Sequence, residues 1–156
     1  VYRDILNQDA RHLKARCRLV RLYARMGEAK KAATQAKKLE KLAPDDPRAL
    51  AALSAAYLSM DRPGEAIEHQ KKLVALQPDD ISALVTLGEI YDRLKRYAEA
   101  IDAYLAAAKQ VSDDPALLRA IGKAYENNAD PNTAKVYFDR AVKLEAATSE
   151  PQPENQ

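Results

Sequence analysis

The stretch from Ile81 to Asp114, ISALVTLGEIYDRLKRYAEAIDAYLAAAKQVSDD, holds two amphipathic segments joined by a short polar corner. Neither segment carries enough apolar surface to fold alone. Moved by 34 residues, the skeleton recurs: Tyr91 falls on Tyr57, Tyr23 and Tyr125, and Ala100 falls on Ala66, Ala32 and Ala134. A fixed period of this length marks a stacked helical repeat, in which each unit buries its apolar face against its neighbours.

Outward from that copy, the punctuation repeats as well. Upstream, APDDPRAL places Pro44 after one helix, Asp46 as an N-cap and Pro47 at the first helical position, where a missing N–H costs nothing. QPDDISAL at Pro78 to Asp80 and SDDPALL at Asp113 to Pro115 repeat that boundary. The corners within each unit read MDRPGEA, LKRYAEA and NADPNTA, with Pro63 and Pro131 at first-turn positions. Gly27 suits the left-handed geometry that ends a helix. The acid pairs Asp45–Asp46, Asp79–Asp80 and Asp113–Asp114 are expected to satisfy free N–H groups at helix N-termini rather than to bind metal.

The boundaries follow from this punctuation. Residues 1–12 are the second helix of a truncated preceding unit, with Tyr2, Ile5 and Leu6 on one face. Full units span 13–46, 47–80, 81–114 and 115–148, and 149–156 is a tail without apolar anchors, expected to be disordered. The chain begins at Val1 without Met, which suggests a piece of a longer protein.

At 156 residues, with 47% hydrophobic and 31% charged composition, the chain has the make-up of a soluble domain. No apolar run is long enough to cross a bilayer, and no leader pattern opens the chain. One cysteine, Cys17, excludes an internal disulfide framework and a cysteine-based zinc site. The compartment stays open, the cytoplasm slightly favoured. The net charge of +2 hides a gradient, because residues 1–42 hold 12 Lys and Arg against 4 acids, whereas the remainder is acidic.

These residues resemble the tetratricopeptide repeat, a helix-turn-helix unit with the pattern W-x2-L-G-x2-Y, A-x3-F and P. The third copy supplies Leu84, Leu87, Gly88, Tyr91, Ala100 and Tyr104, with Ser112 for the final Pro. The fourth supplies Leu118, Ile121, Gly122, Tyr125, Ala134 and Phe138. The second has Ser54 for Gly and Gln70 for the aromatic. The first departs at Arg16, Val20 and Ala36. The resemblance implies an all-α solenoid of antiparallel helix pairs, a right-handed superhelix, in which small residues let paired helices approach and the tyrosines fill the core.

The resemblance also implies a concave groove lined by the first helix of each unit. Carried onto this chain, the groove residues are Lys14, Cys17, Arg18, Arg21 and Arg25, then Arg48, Ala51, Ala52, Ala55, Leu58 and Ser59. The third unit adds Ser82, Val85, Thr86, Glu89, Asp92 and Arg93, and the fourth Arg119, Lys123 and Glu126. Such a groove is basic at one end, small and apolar in the middle, and mixed in charge at the other. The family's carboxylate clamp for acidic chaperone tails is not carried: its positions hold Cys17, Arg21, Ala52, Ser82 and Thr86 in one frame and Ala51, Ala55, Thr86, Ala116 and Ala120 in the next.

The function expected from this is a non-catalytic protein-interaction scaffold that binds a partner peptide or folded protein in the groove, with the basic end favouring acidic residues. The arginines as a merely solvated helix face weigh evenly against that. The alternative is a structural segment of a longer solenoid, or a module that self-associates through bare end residues: Val1, Tyr2, Ile5, Phe138, Val142 and Leu144. His12 and His69 stand apart, and no nucleophile, phosphate-loop or metal motif is present, so no catalysis, small-molecule substrate or cofactor is expected. Cys17 near arginines has a route to a thiolate, but a helical cysteine is more often an inert small residue. Nucleic acid is disfavoured, since the groove has no aromatic platform.

Overall fold

A computed structural model describes residues 1–149. Among these residues the chain is all-α, with α1 (Tyr2–Gln8), α2 (Leu13–Arg25), α3 (Ala29–Leu42), α4 (Pro47–Ser59), α5 (Pro63–Leu76), α6 (Ile81–Arg93), α7 (Tyr97–Ala108), α8 (Pro115–Asn127) and α9 (Pro131–Ser149). From α2 onward the helices pair as hairpins, α2 with α3 through α8 with α9, and the hairpins stack into a solenoid. α9 continues through Ser149, so Thr148 and Ser149 are helical. The disorder expected of the tail falls beyond them, outside the described residues.

The helix boundaries have the expected chemistry. Asp46, Asp80 and Asp114 cap α4, α6 and α8 by accepting from backbone N–H groups of the first turn. The first aspartate of each pair reaches the following unit: Asp45 faces Lys72 at 4.0 Å, Asp79 accepts from Gln110 at 3.1 Å, and Asp113 meets Arg140 at 3.5 Å. His12 is another N-cap, its Nδ1 accepting the Ala15 N–H at 3.2 Å. Each turn inside a hairpin passes through one left-handed residue, Gly27 (φ 72°), Asp61 (54°), Lys95 (58°) or Ala129 (62°), spaced by the same period. Only the first of these is glycine.

The core does not fill every unit the same way. In the third and fourth hairpins an aromatic ring from the second helix lies over a glycine of the first. A Cβ on Gly88 would overlap the Tyr104 ring, and one on Gly122 would stand 2.7 Å from Phe138. These glycines therefore make room for a ring, whereas helix-to-helix approach was expected of them. In the second hairpin the same two positions are Ser54 and Gln70, and in the first they are Val20 and Ala36, all buried. Bulk shifts from the second helix to the first as the chain is followed back toward its start.

The tyrosines of the skeleton are not equivalent either. Tyr57 is 7% exposed and belongs to the core, while Tyr23, Tyr91 and Tyr125 are half-buried. Tyr57 donates to Glu40 at 3.0 Å and stacks on His69, with ring centres 5.5 Å apart. Arg62 and Arg96 lie over Tyr57 and Tyr91 at 5.2 and 4.8 Å, each also bonded to a glutamate one turn on, Glu65 or Glu99.

Stacking geometry also changes along the solenoid. α2 and α4 run close along each other, whereas α4 and α6, and α6 and α8, make almost no close backbone contact and are joined through α5 and α7. Small residues explain the first seam: Cys17, Val20 and Ala24 of α2 meet Ala49, Ala52 and Ala56 of α4 in one buried cluster.

Candidate functional site

The first-helix face of α2 presents Lys14, Arg18, Arg21 and Arg25, all exposed. Their spacing of three and four residues puts them on one side of the helix. Two adjoining pockets share Arg18 and Arg21. One, of about 310 Å³, adds Leu13, Lys14, Cys17 and Arg48, and the other, of about 390 Å³, adds Tyr2, Leu22 and Arg25. Among the described residues Lys14, Arg18, Arg21 and Arg25 form no ion pair. Arg18 only donates to the Tyr2 hydroxyl at 3.4 Å. Arg48 differs, since its guanidinium already holds Asp46 at 2.8 and 3.1 Å.

Two of the residues expected to line the groove are almost wholly enclosed, although Cys17 still borders the smaller of these pockets. Cys17 is 5% exposed and Ala52 is 1% exposed, because the close approach of α2 and α4 encloses both side chains. Cys17 lies 3.8 Å from the Arg48 carbonyl. Burial pushes its thiol up, with Arg21 pulling the other way, so the thiolate is disfavoured.

Between α4 and α6 the layer opens into a cleft of about 370 Å³. Ala51, Ala55 and Leu58 form one wall, Ser82, Ala83, Thr86 and Glu89 the other, and Ser54, Gln70 and Leu73 lie between them, with Asp80 at one end. Gln70 donates its amide to the Ala83 carbonyl at 2.7 Å, which ties α5 to the start of α6. Ser54 Oγ is buried without a hydrogen-bond partner among the described residues. Ser59 turns back on the Ala55 carbonyl at 2.9 Å, outside the cleft.

Beyond the cleft the expected site residues are engaged within the chain. Val85 is half-buried against the core of the third and fourth hairpins. Asp92, half-buried, accepts from the Tyr104 hydroxyl at 2.9 Å; burial raises its pKa and that bond opposes the rise. The same burial and the Asp92 carboxylate push the Tyr104 hydroxyl up. Arg93 donates to the Leu58 carbonyl at 3.3 Å. Arg119 forks onto Glu145 at 3.0 and 2.6 Å, and Lys123 meets Glu126 at 2.7 Å. The far end, expected to be mixed in charge, is thus largely neutralised by its own pairs.

The site is therefore two features side by side, a basic patch on α2 and a small-residue cleft between α4 and α6. Ser54, Gln70, Leu73 and Tyr2 were absent from the expected set. Ser54 and Gln70 were visible as departures from the repeat pattern, but their meeting at one place was not. Among the described residues no cluster of His, Cys, Asp and Glu is placed to hold a metal, and no helix is long and apolar enough to cross a membrane.

Models of the tetratricopeptide repeat match residues 17–81, 56–115 and 120–148. No curated protein matches the sequence. Among solved structures, a crystal structure of MamA is 25% identical over 95% of this chain and 86% of that one, with a TM-score of 0.82. MamA 41-end from Desulfovibrio magneticus RS-1 superposes with a TM-score of 0.85 over 96% of this chain and 84% of that one, at 21% identity, a likeness of fold. Helix hairpins built on one recurring skeleton, matched along most of their length, place this chain in the tetratricopeptide repeat family of protein-interaction scaffolds, which are generally not enzymes.

Proposed function

We propose that the chain binds an acidic segment of a partner protein along the concave face formed by α2, α4 and α6. The observation that carries this is the set of four cations on α2, Lys14, Arg18, Arg21 and Arg25, which line two pockets and, among the described residues, form no ion pair. A basic surface already neutralised by internal pairs, as on α8, offers a partner much less. Arginine forks meet carboxylates with two hydrogen bonds each, so such a patch selects geometry as well as charge. The test is the double charge reversal Arg18→Glu with Arg21→Glu. Partner capture falls sharply, and what remains loses its steep dependence on salt. Unchanged affinity and unchanged salt dependence rule the groove mechanism out.

A second reading rests on the solenoid ends. Val1, Leu22 and Met26 are 89%, 41% and 62% exposed around a pocket of about 560 Å³ on one end, and Val136 and Val142 are 63% and 53% exposed on α9. Stacking of one chain's end on another covers these side chains. Sedimentation at rising concentration reports it, and a monomer at every concentration excludes it.

A further inference from the structure

The cleft between α4 and α6 lies over the place where the second hairpin lacks the ring found in the third. At the position of Tyr104 it has Gln70, and at the position of Gly88 it has Ser54, both buried at the base of the cleft. Where the ring is present, it packs on Gly88 and its hydroxyl bonds to Asp92. The chain thus displays in its third hairpin the kind of group that suits this space. Two further features distinguish the cleft from a simple packing gap. Its walls carry the small side chains Ala51 and Ala55 on one side and Ser82, Ala83 and Thr86 on the other, with Leu58 and Glu89 also lining it. At its base lies Ser54, whose Oγ is buried and has no hydrogen-bond partner among the described residues, a group that costs stability unless a hydrogen bond reaches it.

We infer that this cleft receives one tyrosine side chain of the bound partner, its ring between Ala55 and Thr86 and its hydroxyl on Ser54. The ring sits higher than Tyr104 does over Gly88, because the Cβ of Ser54 occupies the base. The inference rests on the groove reading for the course of the partner chain. The basic patch on α2 lies one unit away along the same layer, so the recognised segment pairs acidic residues with a tyrosine at a fixed distance. A slot of this kind takes a rigid aromatic anchor at small entropic cost, which is how single residues come to dominate such interfaces.

The test uses the full chain and a variant that supplies its own ring, Ser54→Gly with Gln70→Tyr. That pair copies the ring over Gly88, but Leu58 stands where Asp92 accepts the Tyr104 hydroxyl and the Gln70 bond to the Ala83 carbonyl is lost, so a thermal melt checks that it folds. Ala51→Phe, at an exposed position on the rim, closes the cleft independently should the double variant fail to fold. The first probe is p-cresol, the tyrosine side chain without its backbone. In an NMR titration it shifts the amides of Ala51, Ala55 and Thr86 in the parent chain and leaves them unmoved in either variant. The second is a random peptide library displayed against the parent chain. Selected peptides carry acids and a tyrosine, and replacing that tyrosine by alanine weakens binding to the parent roughly 10- to 30-fold while barely changing binding to the variants.

Equal cresol shifts in parent and variants overturn the inference, as do selected peptides indifferent to their aromatic residue. Peptides that keep the tyrosine but ignore charge reversal at Arg18 and Arg21 remove the acidic-groove reading and leave the cleft standing. Self-association of the parent that the double variant abolishes assigns the cleft to a second copy of this chain and overturns a separate partner.

Discussion

The seam between α2 and α4 and the gap between α4 and α6 use the two sides of one helix for opposite ends. On one side Ala49, Ala52 and Ala56 let α2 approach until Cys17 and Ala52 disappear from the surface. On the other, Ala51 and Ala55 face α6 across a cleft that nothing among the described residues fills. Alanine is the same residue in both places. What differs is the partner: α2 brings Cys17, Val20 and Ala24 into contact, whereas α6 packs on α5, to which the bond from Gln70 to the Ala83 carbonyl ties it. Small side chains therefore mean close packing only where the neighbouring backbone is free to come in.

The largest effect that sharpens this contrast is in the core that α4 shares with α3 and α5. Tyr57→Ala removes a buried ring, its bond to Glu40 and its stack on His69, and is expected to cost about 3–5 kcal/mol in chemical denaturation. The same change at the half-buried Tyr91 costs less, and equal losses at the two sites break the distinction between the two tyrosines. Next, Ala52→Leu overfills the closed side of α4 and costs about 1–3 kcal/mol, while Ala51→Leu on the open side stays within roughly 0.5 kcal/mol of the parent. Equal costs would mean that α4 is packed alike on both sides. Gly88→Ala drives a methyl group into the Tyr104 ring, which is 2% exposed and has little room to yield. A loss of about 1–3 kcal/mol is expected, and an unchanged melting temperature removes the ring-over-glycine account of the third hairpin.

The smallest effect concerns pH. His69 has its pKa lowered below 6.5, chiefly by burial; the Glu40 carboxylate at 3.3 Å pulls upward and Lys72 pulls down. Glu40 also accepts from Tyr57, whose own hydroxyl is pushed up to about 12, first by burial. That shared carboxylate gives the imidazole less support than a dedicated partner. A histidine with a depressed pKa in the fold contributes stability above its unfolded pKa, lost as pH falls through the folded one. Melting temperature should therefore decline as pH falls through and below the ordinary histidine value of about 6.5, and His69→Gln should flatten that decline. An unchanged slope in the variant assigns the dependence elsewhere.

Much of the fold was legible because its determinants are local and repeated. The Asp caps, the prolines at first-turn positions and the spacing of Tyr23, Tyr57, Tyr91 and Tyr125 each recur at the same offset. The left-handed corners were readable only at Gly27. Asp61, Lys95 and Ala129 adopt the same geometry under the constraint of the hairpin, with no residue type to announce it. The site was less legible. Helical spacing placed Lys14, Arg18, Arg21 and Arg25 on one face, and the structure has them there. The same spacing put Cys17 and Ala52 beside them, because periodicity gives a direction around the helix axis and not the distance to the next helix. Pairing within the chain was equally hidden: Arg119 and Glu145 are 26 positions apart, and only the return of α9 joins them.

The exchange of bulk between the two helices of a hairpin has a consequence for how such a chain changes over generations. Gly88 with Tyr104, Gly122 with Phe138, Ser54 with Gln70 and Val20 with Ala36 are four fillings of one kind of space. Passing from one filling to another by single replacements requires an intermediate that is either overfull or hollow, and each carries a loss of stability. The two positions are therefore expected to drift together, and units that have settled on different fillings stay apart. Variety among otherwise uniform units is then preserved by packing itself.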